Sequence, residues 1–354
     1  MRVLFTCGRE PAYQRNIVLR TCLERNFDVQ SVTDSTPQLL LRYARLAVKL
    51  LSTRTEHDMT CVGFLGQPLM PFVRRLTRKP ILFDAFLSVY DTLCFDRQRF
   101  QPGSAVGQLA FWLDRTSCSQ ADLVLLDTEA HAQYFSRTFG LPSTRFRRLF
   151  VGCDESVFFP RPFQESHPLV LFYGTFLPLH GIDIVIRAAK LLEAATDIRF
   201  RIIGTGMEHE RIRRLSTELD VHNVEFRAPV PIARLADEIA EATICLGGHF
   251  SAIEKAKRVI AGKTFQSLAM GKPTIVGDNP ANRELLTPGH DAWFCQMADP
   301  EALASAILTL MQNHDLQAHL SQNALRTFKT HASSDALSRQ VGQMANELVC
   351  TPRT

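Results

Sequence analysis

Leu169-Val170-Leu171-Phe172-Tyr173-Gly174-Thr175-Phe176-Leu177-Pro178-Leu179-His180-Gly181-Ile182 is the stretch on which the fold turns. Its first five residues are apolar without alternation, as in a parallel strand covered on both faces. Gly174 ends that strand, and Gly181 lets the backbone approach a ligand or begin the next helix. Just upstream lies Phe159-Pro160-Arg161-Pro162-Phe163-Gln164-Glu165-Ser166-His167-Pro168, with three prolines and no periodicity. Proline can neither continue a helix nor sit in a central strand. A domain boundary is expected there, with Leu169–Tyr173 opening a second sheet.

The same pattern extends in both directions. Upstream, Arg2–Thr6, Phe27–Val32, Pro80–Phe83, Asp122–Leu126 and Phe146–Phe150 read as strands. Downstream, Ile198–Ile203, Val224–Arg227, Thr243–Leu246, Thr274–Val276 and Ala292–Cys295 do the same. Helical stretches separate them, which predicts parallel sheets with right-handed crossovers. The expected class is α/β, with two doubly wound parallel-sheet (Rossmann-like) domains facing a cleft. Residues 1–160 form the first domain and 161–332 the second. Residues 333–354, with the helix Ser334–Leu348, pack back toward the first. A chain of 354 residues suits two domains.

Composition excludes several classes. Hydrophobic residues make up 45 % and charged residues 21 %, a globular balance rather than a disordered one. No apolar run reaches the roughly 20 residues of a bilayer-spanning helix, and Met1 to Gly8 reads as strand and turn rather than leader. The nine cysteines are scattered without a C-x-x-C pair. That argues against a disulfide framework or a zinc site and for reduced thiols in the cytoplasm. No metal or other cofactor is expected. A net charge of +4 suits an anionic ligand or weak attraction to an acidic surface. It is too dispersed to indicate nucleic acid.

Ligands of doubly wound sheets bind at the carboxyl ends of strands. After Thr243–Leu246 and Gly247-Gly248 comes Glu254-Lys255-Ala256-Lys257-Arg258-Val259-Ile260-Ala261-Gly262-Lys263-Thr264-Phe265-Gln266, leading into a helix over Lys263–Met270. Four cations before a helix start form a phosphate site, or else a solvated basic loop. Gln266, one turn beyond Lys263, shares its face and offers an amide to a ribose hydroxyl. Thr175 and His180 offer a hydroxyl and an imidazole in a turn that also reads as ordinary. Gly204-Thr205-Gly206 begins a dinucleotide fingerprint that His209 interrupts, so a plain tight turn is the default. In the first half, Gly8 follows the opening strand. Asp84, Ser88 and Asp91 follow another, as sugar ligands or as caps. His131 reads as a surface or capping histidine. Leu39–Leu51 carries Arg42, Arg45 and Lys49 at helical spacing, as a helix lying on an anionic membrane face or, preferably, a core helix with one basic edge.

Val151-Gly152-Cys153-Asp154-Glu155-Ser156-Val157-Phe158-Phe159-Pro160 resembles the V-G-x-D-x-x-x-F-x-P linker of family 4 glycosyltransferases, which have the GT-B fold. Gly174 to Gly181 is similar to that family's G-R-L-x-x-x-K-G turn, Gly204-Thr205-Gly206 to its G-x-G turn, and Gln266 to Pro273 to its E-A-x-A-x-G-x-P helix. The resemblance implies a retaining, metal-free transfer of a sugar from a nucleotide sugar to a glycan or lipid-linked acceptor. Cell-surface polysaccharide synthesis is the implied setting, in the cytoplasm or peripherally on the inner membrane face. Thr175, His180, Gly181, Lys257, Arg258 and Lys263 would hold the donor diphosphate. Gly204, Gly206 and Gln266 would hold the nucleoside, and Gly8, Asp84, Ser88 and Asp91 would face sugar or acceptor. No catalytic base stands out. Thr175 and His180 replace the family's arginine and lysine, and Arg258 and Gln266 its two glutamates. A subset of the family shares G-T-F-x-P-L-x-G together with K-A-x-R-V-I-x-x-K, so the positive charge has moved to Lys257, Arg258 and Lys263. The competing readings are a non-catalytic nucleotide-binding or assembly protein and, less favoured because of His209, a nicotinamide-dependent oxidoreductase.

Overall fold

The computed structural model describes residues 1–53, 56–162, 167–194 and 197–350. Among them the chain forms two six-stranded sheets. The first contains β1 (Arg2–Cys7), β2 (Asp28–Ser31), β3 (Met59–Gly63), β4 (Ile81–Asp84), β5 (Leu123–Leu126) and β6 (Phe146–Arg148), in the order β2-β1-β3-β4-β5-β6. The second contains β7 (Leu169–Tyr173), β8 (Arg199–Ile203), β9 (Val224–Arg227), β10 (Ile244–Leu246), β11 (Thr274–Gly277) and β12 (Trp293–Cys295), in the order β12-β11-β10-β7-β8-β9. Every pairing is parallel.

The chain divides into two compact units, Met1–Val151 with Ser334–Thr354, and Gly152–Ser333. The linker after Val151 thus belongs with the second unit. Cys153 Sγ lies 3.9 Å from the Phe265 carbonyl, and Arg161 pairs with Asp237. Of the proline-rich run, Phe163 to Ser166 lie outside the described residues.

In the first unit, β3 is central yet was not among the expected strands. Met59-Thr60-Cys61-Val62-Gly63 is short and carries only two β-branched residues, so its local signal is weak. Burial of all five residues between β1 and β4 supplies what propensity does not. From β2 onward, successive right-handed crossovers run in one direction across the sheet. They place helices Leu39–Ser52, Met70–Leu76, Ala105–Gln120 and Glu129–Phe139 on one face. Leu46, Val73, Val62, Phe83 and Phe135 share the core beneath them. The opposite crossover places helix Gln14–Glu24 on the other face, where helix Ser334–Cys350 packs against it.

In the second unit, strand order runs outward from β7 through β8 to β9, then returns to the other side of β7 with β10. The reversal at the β7/β10 pair is a topological switch point, which brings the turns after these two strands together. Phe172, Val185, Ile202, Leu246 and Ile307 lie in the core that fixes the position of those turns.

Candidate functional site

The turn after β7 begins at Gly174, whose φ of +141° no ordinary side chain tolerates well. From the far side of the switch point, helix Gly262–Ala269 sends Lys263 over it. A Cβ on Gly174 would lie 3.4 Å from Lys263 Cε and 3.6 Å from Nζ. Lys263 is only 6 % exposed. Its Nζ lies 4.2 Å from the centroid of the Phe172 ring and has no hydrogen-bond partner among the described residues. The ring face offers partial compensation to a cation, but no carboxylate among the described residues answers it. Burial brings its ammonium down to about 7. An unpaired buried charge is costly, so it marks a site that something else completes.

Two imidazoles flank this lysine. His180 and His249 stack with ring centroids 5.1 Å apart and planes 22° from parallel. Burial, then Lys263 and His249, holds His180 well below the ordinary imidazole range. Burial, then Lys263 and Lys255, does the same to His249. Both rings are therefore neutral near pH 7. Lys255, also buried, comes from the turn Glu254–Lys257 after β10. Nδ1 of His249 and Oγ1 of Thr264 lack partners as well. Helix Gly262–Ala269 starts at Ala261 without a side-chain cap, so its first-turn N–H groups add to the positive end. The neighbours that shift these groups are basic, and donors predominate. A multiply charged oxyanion fits that chemistry, since it would accept from the donors and restore the proton on Lys263.

The other expected donor-side residues divide. Lys257 is answered within its own turn by Glu254, at 2.6 Å. Arg258 is half-buried beside it. Gln266 Oε1 accepts from the Tyr173 hydroxyl at 2.9 Å, which orients the amide. Thr175 is exposed at the tip of the turn. Gly181, Gly204 and Gly206 have a structural reason to lack a side chain. A Cβ there would lie 2.5 Å from Ser251 N, 2.0 Å from Gly174 O and 2.7 Å from Phe176 N, so these glycines let the turns around the site pack together.

In the first unit the sequence-based assignments change. Asp84 is fully buried and gripped by Arg15, with Nε to Oδ2 and Nη2 to Oδ1 each at 2.9 Å. Arg15 also donates to the carbonyls of Leu149 and Phe150. Ser88 Oγ accepts from Asp91 N at 2.9 Å and donates to Asp114 at 2.7 Å. Asp91 is buried, with Tyr134 donating to it at 3.3 Å. Asp84 is thus taken up by an ion pair and Ser88 by a cap, the capping alternative read from the sequence, while Asp91 supplies the capped N–H and accepts from Tyr134. Gly8 donates its N–H to the Phe64 carbonyl, and a Cβ there would meet Leu65 O at 1.8 Å. His131 is not on the surface. It is buried with Nδ1 2.7 Å from Asp127 Oδ1.

Lys255 was one of the four cations read as a phosphate site, whereas Phe172, Tyr173, His249 and Thr264 were given no role there. Of the latter, only His249 carried a signal, its place directly after Gly247-Gly248. A separate hollow of ≈ 890 Å³ lies at the amino ends of β7, β8 and β9. At its wall Arg201 is held by Glu225, Glu238 and Glu241. Among the described residues no buried cation without a partner lines it.

Residues 167–313 match the family model for Glycosyl transferases group 1. A D-inositol 3-phosphate glycosyltransferase from a Nocardioides species is 23 % identical over 231 residues, covering 58 % of this chain and 49 % of its own. The phosphatidyl-myo-inositol mannosyltransferase of Mycolicibacterium smegmatis is 24 % identical, covering 47 % and 43 %. The chain thus spans about half the length of these curated relatives, or less. Among solved structures, Anabaena HepE in complex with UDP superposes with a TM-score of 0.73 at 15 % identity, over 98 % of this chain and 100 % of its own. Sucrose-phosphate synthase from Thermosynechococcus elongatus gives 0.77 at 15 % identity, over 98 % and 99 %. At that identity the likeness establishes the fold, which is GT-B.

Proposed function

From the premise that this chain carries a group 1 glycosyltransferase domain on a GT-B fold, we propose that it is a retaining glycosyltransferase. It moves a sugar from a nucleotide sugar to a glycan or lipid-linked acceptor in cell-surface polysaccharide synthesis. The observation that carries the reading is Lys263, a buried ammonium without a counter-ion at the switch point of the second sheet. The donor diphosphate supplies that counter-ion. Lys263, Lys255 and the uncapped helix start neutralise it, His180 and His249 donate to its oxygens, and Gln266 bonds the ribose.

In the transfer, the bond from the anomeric carbon to the β-phosphate oxygen breaks and its electron pair leaves with the diphosphate. The acceptor oxygen bonds to the same carbon, and its proton passes to the departing phosphate oxygen. The protein's part is to stabilise charge on the leaving group with preorganised donors. This chemistry needs no carboxylate base from the chain. A lipid-linked acceptor brings the chain to a membrane face without a spanning segment. Among the described residues no helix is long and apolar enough to cross one.

A thermal-shift comparison of UDP, GDP, ADP and dTDP tests the proposal, because a saturating ligand raises the melting temperature by about 3–10 °C. One of the four should do so, and Lys263→Ala should abolish the shift. If none of the four moves the transition, the diphosphate reading is lost. Binding without consumption of any matching nucleotide sugar would favour the non-catalytic alternative.

A further inference from the structure

Lys263 has a second chemistry besides its charge. Lys49, Lys190 and Lys257 are each held by a carboxylate, that of Asp34, Glu193 and Glu254 respectively. An amine so held keeps its proton and has no lone pair to offer. Lys263 Nζ has no hydrogen-bond partner among the described residues, and burial alone lowers its ammonium to about 7. About half of it is then free amine at neutral pH, whereas an ordinary lysine is free to roughly one part in 2,500. A lysine desolvated against an apolar wall is the form in which this side chain attacks carbonyl carbon. The wall here is the ring of Phe172, 4.2 Å from Nζ.

There is also room for an electrophile against it. At Gly181, Gly204 and Gly206 a Cβ would collide with backbone atoms. At Gly174 it would not. The added carbon would stand 3.4 Å from Lys263 Cε, 3.5 Å from His180 Cε1 and 3.6 Å from Nζ, with nothing nearer. Gly174 is half-buried, so the turn is not sealed over this space. A space that holds one carbon there can hold the carbonyl carbon of a small acyl group, close to the roughly 3–3.5 Å of a near-attack arrangement.

The surrounding groups select the acyl donor. His249 Nδ1 and Thr264 Oγ1 are buried without partners, His180 Nδ1 is unpartnered too, and helix Gly262–Ala269 begins without a side-chain cap. Such donors favour an oxyanion. An ester or thioester has none bonded to its reacting carbon. An acyl phosphate has its phosphate joined directly to that carbon, so donors that hold the phosphate also bring the carbonyl to Nζ.

We propose that Lys263 is a modification site for small acyl phosphates, which acylate it and close the anion pocket. The proposal rests on the reading of this pocket as an oxyanion site and adds a regulation to it. The Nζ lone pair bonds to the carbonyl carbon. The bond from that carbon to the phosphate oxygen breaks, its electron pair leaves with phosphate, and one Nζ proton goes to the departing phosphate. The product is a neutral amide, which has lost the charge that a diphosphate needs. Its acyl group fills the space beside Gly174.

Acetyl phosphate is the probe, applied to the full chain near neutral pH and followed by peptide mass mapping. Lys329, exposed on helix His314–His331, is the internal reference. Lys263 should be acetylated at least about tenfold faster, because its gain in free amine outweighs its lower basicity. Saturating inorganic pyrophosphate should slow Lys263 by about tenfold or more and leave Lys329 unchanged. With p-nitrophenyl acetate, which carries no phosphate, the preference for Lys263 should shrink. Any nucleotide-induced melting shift should be lost in proportion to the acetylated fraction. The proposal is overturned if Lys263 reacts no faster than Lys329, if pyrophosphate does not protect it, or if the uncharged ester shows the same preference. It is equally overturned if fully acetylated protein keeps its nucleotide shift. Failure of the nucleotide-sugar reading looks different: no nucleotide moves the transition, yet Lys263 still reacts fast and pyrophosphate still protects it.

Discussion

The two units share an architecture, with parallel sheets whose turns lie at carboxyl ends, but they differ in how they meet certain buried charges. In the first, buried charge is met internally: Asp84 by Arg15, and Asp127 by His131. Asp114, which burial pushes up to about 6, accepts from Ser88 and from Tyr90 N. In the second, Lys263 is left without a partner, beside two imidazoles that its charge helps keep neutral. Satisfied networks rigidify a fold, whereas an unsatisfied buried cation costs stability and reserves that energy for a ligand. Turns of the same topology can thus be structural in one sheet and ligand-seeking in the other.

The largest effects should come from removing one charge in each unit, with opposite signs. Asp84→Ala strands Arg15 in the interior and should destabilise the first unit by about 3–5 kcal/mol, read from its urea unfolding transition. The nucleotide-induced shift of the remaining folded protein should persist. Lys263→Met removes a buried charge that has no partner. It should raise the stability of the second unit by about 1–4 kcal/mol while weakening nucleotide binding by about 30- to 1,000-fold. A destabilised Lys263→Met with intact binding would make this lysine structural and erase the contrast.

An intermediate effect is pH dependence. Free Lys263 titrates at about 7, far below the ordinary 10.5, because of burial. Its charge therefore opposes folding fully below pH 7, and that cost is relieved as pH rises from 7 toward 10.5. The stability advantage of Lys263→Met should shrink over the same window. Binding has the reverse sign. A diphosphate favours the ammonium, so affinity should be flat below pH 7 and fall above it, by at most about tenfold per unit. Calorimetry with an intact nucleotide sugar, whose diphosphate does not ionise in this range, isolates the lysine. Affinity independent of pH between 7 and 9 would mean that its proton takes no part.

The sequence revealed most of the architecture and only part of the site, for physical reasons. Apolar runs such as Leu169–Tyr173 announce parallel strands because both faces are covered. Met59–Gly63 stayed hidden because its strand character comes from its neighbours. The cationic segment near 260 stood out as a row of charges, but sequence cannot say which of them point inward. Lys255 and Lys263 are buried, whereas Lys257 spends its charge on Glu254. The same limit left Asp84, Ser88 and Asp91 open between sugar ligands and caps, since an acid after a strand looks alike whether it awaits a sugar or holds Arg15. His249 entered the site only through the β7/β10 pairing, which depends on contacts about 70 residues apart along the chain.

The smallest test compares single hydroxyls. Ser88 both accepts from Asp91 N and donates to Asp114, so Ser88→Ala deletes a cap and a donor and should cost about 1–2 kcal/mol. It should also move Asp114 further up, because the lost hydrogen bond favoured the carboxylate. Thr264 is as deeply buried, yet its Oγ1 has no partner. Thr264→Val keeps the shape and removes an unsatisfied group, so the second unit should gain about 1 kcal/mol. If that hydroxyl donates to the diphosphate, the gain comes with an affinity loss of about three- to tenfold, read by the same calorimetry. Equal costs for the two substitutions would mean that both hydroxyls are structural, and that the difference between the units rests on Lys263 alone.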